Sequence, residues 1–199
     1  MTEKLTVKTY PSLPEINRNE VLRYLHAKGD EPTKALIEEV IGELDGKLSY
    51  KVIYKSYSIC REECSYDLGF ANVKSTDLDR ALFGCDSIIL FAATLGAGAD
   101  RMISRYSSVL PSRALVIDAI CTERIEALCD AFEREITKDR YSRPRYSPGY
   151  GDVPIEIQRD VFRALELQSR FGLVLNDSML ITPTKTVSAF IGLGRRNPK

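Results

Sequence analysis

The sequence has little of what several common classes of protein require. It contains one histidine, His26, so a nucleophilic triad that depends on histidine is hard to build. Lysine plus arginine and aspartate plus glutamate number 28 each, and this zero balance argues against a generally basic nucleic-acid binder or a polybasic membrane protein. The longest apolar run, Ile88–Ala93 with its near neighbours, is far too short to span a membrane.

The opening residues also lack the pattern expected of a secretory signal peptide. The opening residues MTEKLTVKTYPSLPEINR contain no apolar core of signal-peptide length. Together these absences predict a cytoplasmic protein whose partners include no membrane and no nucleic acid.

The cysteines do not have the spacing of a usual metal or redox site. Cys60 and Cys64 form a C-x3-C pattern with no histidine near them. The other three are Cys85, Cys121 and Cys129. We predict buried or incidental thiols and no metal, with a metal or redox role as the alternative.

Length and composition predict one ordinary globular domain over residues 1–199. Hydrophobic residues make up 44% and charged residues 28% of the chain, which has no internal repeat or obvious linker. Strand-like and helix-like patterns mix without a regular βαβ rhythm. The predicted fold class is therefore α+β, with a largely antiparallel sheet and several helices.

Hydrophobic periodicity places the main elements. Leu48–Ile59 and the apolar Ser87–Gly96 are predicted strands, and a long central helix is predicted from Ser112 to about Lys138. A loop over Asp139–Val153 and a helix over Pro154–Arg170 follow. The other predicted elements are helices after Asn17 or Asn19, at Pro32, after Thr76 and at Ala99, and strands near Val73, Leu180 and Val187–Leu193.

A glycine-rich bend follows the apolar strand. Gly96-x-Gly98 lies between a strand and a helix, where glycines allow close backbone approach and a helix N-terminus favours anions. The bend lacks the third glycine of a dinucleotide fingerprint and the Gly-Lys-Ser/Thr of a P-loop. A structural turn and a ligand-lining turn both remain open.

Three carboxylates of the long helix, Asp118, Glu123 and Glu126, are candidates for the site. Asp118 and Glu126 are eight residues apart and share a face, whereas Glu123 is offset. One interpretation is a solvated face paired with Arg124 and Arg134. The other is a carboxylate that faces a pocket and suits a cationic ligand.

The segment Lys138–Arg145, KDRYSRPR, combines four basic residues with one tyrosine, Tyr141. Lysine and arginine can contact phosphates and tyrosine can stack on bases, so a small-RNA contact is one interpretation. Four cations in a neutral protein make a small patch, which favours a different use.

The loop RYSPGYGDVP, Arg145–Pro154, combines turn chemistry with binding chemistry. Pro148 and Gly149 favour a turn. Arg145 offers a planar fork that matches a carboxylate, and the tyrosines offer flat faces to a purine or a cation. Asp152 is predicted to cap the helix that begins at Pro154. A rigid loop for a ligand with a carboxylate and a flat ring is therefore predicted.

Three blocks together resemble a known family. Arg145–Tyr150 matches an R-x-x-x-G-Y pattern, with Gln158 at a further motif position; Phe91–Asp100 and Met179–Gly194 are the other blocks. The chain resembles the stand-alone version of the activation (reactivation) domain of cobalamin-dependent methionine synthase. The blocks span roughly residues 88–194.

The resemblance implies a function in reductive methylation. The family binds S-adenosylmethionine, whose methyl group re-methylates a cobalamin that has become oxidised, with an electron from flavodoxin or an equivalent donor. Arg145 would hold the methionyl carboxylate. Pro148, Gly149 and Tyr150 would line the adenosine, and Glu123 or Glu126 would face the sulfonium. The protein contributes positioning rather than an acid or a base.

Two differences from the large enzymes bear on this expectation. Those enzymes carry the domain at their C-terminus, so the partner expected here is a separate cobalamin-binding methionine synthase that lacks its own activation domain. A tyrosine pair late in the family's site has no counterpart, because Tyr150 is the last tyrosine of the chain. The alternative is a non-catalytic docking or assembly module for another corrinoid methyltransferase system.

Overall fold

A five-stranded antiparallel sheet organises the structure, a computed structural model that describes residues 4–62, 65–138 and 140–194. Its strands lie in the order Thr6–Tyr10, Tyr50–Ser58, Ser87–Thr94, Thr186–Gly194 and Tyr141–Ser142. The central strand Ser87–Thr94 pairs along its whole length with Tyr50–Ser58 on one side and with Thr186–Gly194 on the other. A three-stranded and a two-stranded sheet, both small, complete the strands.

The strands are β1 (Thr6–Tyr10), β2 (Tyr50–Ser58), β3 (Cys60–Arg61), β4 (Tyr66–Asp67), β5 (Asn72–Val73), β6 (Ser87–Thr94), β7 (Tyr141–Ser142), β8 (Val174–Leu175), β9 (Ile181–Thr182) and β10 (Thr186–Gly194). The helices are α1 (Arg18–Tyr24), α2 (Glu31–Leu44), α3 (Asp77–Ala81), α4 (Gly98–Tyr106), α5 (Pro111–Thr137), α6 (Gln158–Ala164) and α7 (Leu167–Phe171). A 3₁₀ turn at Ile155–Ile157 precedes α6. The α+β prediction, with a largely antiparallel sheet and a long helix, is confirmed.

The sheet has a hydrophobic core on each face. Because side chains alternate along a strand, Ile89 and Phe91 of β6 enter one core while Ile88 and Leu90 enter the other. Helices α1, α2, α4 and α5 cover the first core. Helices α3, α6 and α7 and the small sheets cover the second. Burial on both faces explains the apolar run Ile88–Ala93 within β6. Both cores share the one sheet, and the assignment of one domain to residues 1–199 stays a prediction.

The long helix α5 begins at a proline, which suits the first helical position because its missing N–H has no partner there. Its apolar stripe, which includes Ile117, Ile120 and Leu128, packs on the sheet. The opposite side keeps charged residues, and that side forms one wall of the site described below.

The predicted helix over Pro154–Arg170 is wrong as one element. The structure divides it into the 3₁₀ turn, α6 and α7. The break lies at Glu166, whose φ of 51° is left-handed and incompatible with a continuing helix. Leu165 and Leu167, on either side of it, are both fully buried, so the break directs two adjacent apolar side chains into the second core.

Candidate functional site

A cleft of about 490 Å³ opens where the Arg145–Pro154 loop meets α5, α6 and β10. Three of the predicted site residues, Glu126, Arg145 and Tyr150, line it. The other lining residues come from the loop, the start of α6, and the C-terminal strands: Tyr146, Ser147, Ile155, Gln158, Met179, Ile181, Thr186, Val187 and Ser188. The cleft therefore joins residues that are far apart in the chain.

Arg145 is held against α5 by three carboxylates. Its Nη1 lies 2.7 Å from Asp130 Oδ1 and 2.9 Å from Glu133 Oε2, and its Nη2 lies 2.7 Å from Glu126 Oε2. These bonds use three of the five N–H donors of the guanidinium. The fork therefore has donors left for the carboxylate of a ligand.

The charge around Arg145 is negative in sum, because three carboxylates face one guanidinium. Burial lowers the pKa of Arg145. The hydrogen bond with Asp130 and the neighbouring negative charges raise that pKa by more than burial lowers it, so it lies above its ordinary value. Arg145 is thus a permanent cation in a wall with excess negative charge. Such a wall suits a ligand that carries both a carboxylate and a cation.

The Pro148-Gly149 turn gives the loop its shape, as predicted. The Tyr150 N–H donates to the Ser147 carbonyl at 3.2 Å, and Gly149 has a φ of +85°, which favours glycine. Pro148 is buried, whereas the Tyr150 ring is 66% exposed at the mouth of the cleft. Tyr150 is therefore the one of these three residues whose side chain lines the opening.

Asp152 does not cap the helix after Pro154, so that prediction is wrong. Its carboxylate instead accepts hydrogen bonds from the backbone and hydroxyl of Thr76, at 2.7 and 2.9 Å, at the start of α3. Thr76 is the N-cap residue of α3 and has no side-chain cap of its own. A distant helix with free N–H groups outcompetes the local one, which starts as a 3₁₀ turn.

The floor of the cleft contains polar residues that the sequence interpretation did not assign to the site. Gln158 and Ser188 are 3% and 6% exposed and are hydrogen-bonded to each other. Thr186 lies two residues before Ser188 on β10. The sequence contained a pattern that indicates these residues, because two hydroxyl residues at alternate positions in an otherwise apolar strand must share one face.

Glu123 lies outside the cleft. It is 6% exposed, forms an ion pair with Arg124 and accepts a hydrogen bond from the Asn17 backbone at 3.0 Å. Arg124 Nη1 in turn donates to the Pro14 carbonyl at 2.6 Å. Glu123 thus fastens the segment before α1 to the long helix. The third candidate carboxylate, Asp118, pairs with Lys185 at 2.8 Å.

Two other sequence features have structural roles. A Cβ on Gly98 would lie 2.0 Å from the Lys47 carbonyl oxygen, so this glycine allows α4 to begin against the backbone before β2. In the basic segment, Arg143 donates to the Arg80 carbonyl and Arg145 is held by its carboxylates. Half of the cations of that segment are therefore engaged within the protein.

The thiols differ in exposure. Cys121 and Cys129 are buried, Cys85 is partly buried and Cys60 is exposed, whereas Cys64 lies outside the described residues. Within residues 4–62, 65–138 and 140–194, no group of three His, Cys, Asp or Glu side chains is placed to hold a metal ion. In the same ranges, no helix is both long and apolar enough to cross a membrane.

Comparison with known proteins identifies a similar fold. No family model and no curated protein matches the sequence. Among solved structures, the crystal structure of the MetH reactivation domain bound to AdoHcy (S-adenosylhomocysteine) is similar, with a TM-score of 0.69 and 13% sequence identity. The match covers 98% of this chain and 80% of that chain. The α+β architecture with its long helix is therefore the fold of the MetH reactivation domain.

Proposed function

We propose that this protein binds S-adenosylmethionine in the cleft and acts as a reactivation subunit for a cobalamin-dependent methionine synthase on a separate polypeptide. One observation carries the proposal: Arg145, Glu126 and Tyr150 line one cleft, in a fold that also occurs in a reactivation domain crystallised with AdoHcy. The cleft offers the three chemistries that the ligand needs, which are a guanidinium, a carboxylate and an aromatic face.

In this proposal each group of the ligand has a protein partner. The free donors of Arg145 bind the methionyl carboxylate as charge-assisted hydrogen bonds. Glu126, which lines the cleft, faces the cationic part of the ligand; the buried Glu123 is paired elsewhere. The Tyr150 ring stacks on the adenine, and the Pro148-Gly149 turn holds that ring in place.

The role of the protein is positioning. A cobalamin carried by the partner, after gaining one electron from flavodoxin or an equivalent donor, would be the nucleophile that takes the methyl group, and S-adenosylhomocysteine would be the leaving group. Tyr150, Ile155 and Leu180 are 66%, 40% and 65% exposed, and Tyr150 and Ile155 line the cleft. An open mouth of this kind lets a partner approach the bound methyl group, and the chain needs no general acid or base for the step.

Calorimetric titration of the full chain with S-adenosylmethionine and with S-adenosylhomocysteine tests the proposal. Both should bind, and Tyr150→Ala should weaken binding by about 5- to 150-fold, since base–aromatic stacking contributes about 1–3 kcal/mol. Arg145→Ala should weaken it by about 10–100-fold, because a charged hydrogen bond contributes about 1.5–3 kcal/mol. Tyr150 is largely exposed, so Tyr150→Ala should still fold. The test can therefore be made with that variant if Arg145→Ala does not fold.

Arg163→Ala is the matched control, because Arg163 pairs with Asp160 on α6 and does not line the cleft. It should bind both ligands as the unaltered chain does. An absence of binding heat at millimolar ligand, with and without a cobalamin-loaded methionine synthase that lacks a reactivation domain, would contradict the proposal. That result would favour the docking or assembly module, which requires a partner but no ligand.

A further inference from the structure

Two carboxylates fasten the second half of the cleft loop to α3. Asp152 Oδ2 accepts hydrogen bonds from the Thr76 N–H and hydroxyl, and Asp152 Oδ1 accepts from the Ser75 hydroxyl and, at 3.4 Å, from the Asp77 N–H. In the opposite direction, the Asp152 N–H donates to Asp77 Oδ2 at 3.2 Å. We call this reciprocal set of contacts the Asp77–Asp152 clamp.

The clamp adds to the capping of α3, where the Ser75 hydroxyl already accepts a hydrogen bond from the Leu78 N–H at 3.1 Å. The first N–H groups of a helix need acceptors, and negative charge is favourable at that end. Hydrogen bonds from Ser75 and Thr76 lower the pKa of Asp152 to about 2. Asp152 therefore keeps its charge, and the clamp its contacts, throughout the neutral range. Leu78 lies in α3 and Leu82 directly follows it. Both are buried in the second core and anchor α3 there.

The clamp reaches the cleft through Gly151 and Tyr150. Gly151 has a φ of +54°, and a Cβ there would lie 2.1 Å from Asp77 Oδ2 and 2.6 Å from the Tyr146 hydroxyl oxygen. The Tyr146 hydroxyl donates to the Tyr150 carbonyl at 3.0 Å, and the two rings are 6.2 Å apart at their centroids. Only Gly151 therefore separates Asp152 from Tyr150, at a position with no room for a side chain.

Asp152 itself faces elsewhere. It lines a different depression, of about 320 Å³, together with Arg61, Lys74 and Asp79, and it is not among the residues of the cleft. An effect of Asp152 on a ligand in the cleft must therefore act through the loop. Gly151 lies between Asp152 and Tyr150, and a Cβ there would collide with the Asp77 carboxylate.

We propose that Asp152 is a positioning residue of the cleft, which sets the place of Tyr150 by holding the loop on α3 and does not touch the ligand. This rests on the proposed function, because the ligand meant is an S-adenosyl compound. The clamp would make α3 a support of the binding site, although α3 contributes no residue to the cleft wall.

The test uses a fluorescent residue at position 150. The sequence contains no tryptophan, so Tyr150→Trp introduces a single tryptophan in the cleft mouth, which is excited selectively over the tyrosines at long wavelength. In that background, Asp152→Ala should increase quenching of the fluorophore by acrylamide. In the Tyr150 chain, Asp152→Ala should weaken binding of S-adenosylhomocysteine by about five- to tenfold, the size expected for loss of a helix cap and its attached loop. Asp152→Asn should affect both the quenching and the binding less than Asp152→Ala does, since the asparagine side-chain oxygen can still accept a hydrogen bond from Thr76.

Asp160→Asn is the matched control, because its carboxylate pairs with Arg163 away from the cleft. Unchanged binding and unchanged quenching in Asp152→Ala would overturn the inference. So would weaker binding with unchanged quenching, because the effect would then not act through position 150. If Asp152→Ala does not fold, the same comparisons are made with Asp152→Asn. If the unaltered chain binds no S-adenosyl compound, the proposed function fails, while the quenching data still decide whether Asp152 positions the loop.

Discussion

Gln158 and Ser188 exchange two hydrogen bonds across the floor of the cleft. Gln158 Nε2 donates to Ser188 Oγ at 2.7 Å, and Ser188 Oγ donates to Gln158 Oε1 at 3.0 Å. Each residue satisfies the other in a place that water hardly reaches. The pair also joins α6 to β10, the two elements that hold opposite ends of the cleft floor together.

Removing one member of this pair should lower the free energy of unfolding, because the other member is left buried without a hydrogen-bond partner. We expect Gln158→Leu to lower the free energy of unfolding by about 1–3 kcal/mol, because Ser188 keeps a buried hydroxyl without its partner. In the Gln158→Leu background, Ser188→Ala should lower the free energy of unfolding by less than Ser188→Ala does in the unaltered chain. Urea unfolding of the four proteins in a double-mutant cycle measures this coupling. Strict additivity of the two changes would show that the pair is not coupled.

The Glu123–Arg124 pair predicts a larger effect. Both side chains are almost fully buried, with Arg124 Nη2 2.7 Å from Glu123 Oε1. Arg124→Met should destabilise the fold by about 3–5 kcal/mol, because Glu123 becomes an unpaired buried charge. The exposed pair Arg23–Glu20 is the control, and Arg23→Met should change stability by less than about 1 kcal/mol. Thermal or urea unfolding distinguishes the two variants, and similar losses in both would contradict the prediction.

The excess negative charge around Arg145 predicts a preference between ligands. S-adenosylmethionine carries a sulfonium cation that S-adenosylhomocysteine lacks, so the methylated compound should bind several-fold more tightly at low salt, in line with about 0.2–1 kcal/mol for a partly exposed charge pair. Glu126→Gln should reduce this preference, because it removes the one carboxylate of the three that lines the cleft.

Calorimetry at two salt concentrations measures the ratio of the two affinities. Glu166→Gln, which alters an exposed pair with Arg170, should leave the ratio unchanged. A ratio that is the same in the unaltered chain and in Glu126→Gln would remove Glu126 from the site of the cation.

The buried thiols of α5 predict a pattern of reactivity and of alkaline stability. Burial raises the pKa of Cys121 and of Cys129 from 9.0 to about 12. Because the folded pKa is the higher one, their contribution to stability is complete below pH 9 and is lost as the pH rises through 12. In the native protein, iodoacetamide should modify the exposed Cys60 first and reach these two only after unfolding. Peptide mapping at pH 8, with and without denaturant, measures this order, and fast native labelling of Cys129 would contradict it.

Local chemistry predicted the loop well and its surroundings poorly. Pro148-Gly149 imposes a turn in any context, so the sequence alone places Arg145 and Tyr150 near each other. The partners of Arg145 were less visible, although Glu126, Asp130 and Glu133 recur at helical spacing and must share a face. Their pairing with Arg145 depends on how the chain returns after α5, which no local pattern encodes.

The two errors have tertiary causes. Asp152 stands two residues before a proline that could start a helix, but its carboxylate caps α3 instead, 76 residues from it at Thr76. The break at Glu166 lacks a glycine or proline to mark it, and only the burial of both neighbouring leucines in one core explains it. Such competition between a local and a distant partner cannot be decided from spacing.

The place of β10 determines when during folding the cleft comes to exist. This last strand lies between β6 and β7, contributes Thr186 and Ser188 to the cleft floor, and carries Phe190, whose backbone bridges Tyr146. A growing chain has Arg145 and its carboxylates long before it has this strand. Under the proposed function, an S-adenosyl ligand would therefore meet an incomplete cleft in an unfinished chain, and full binding would report that β10 has joined the sheet.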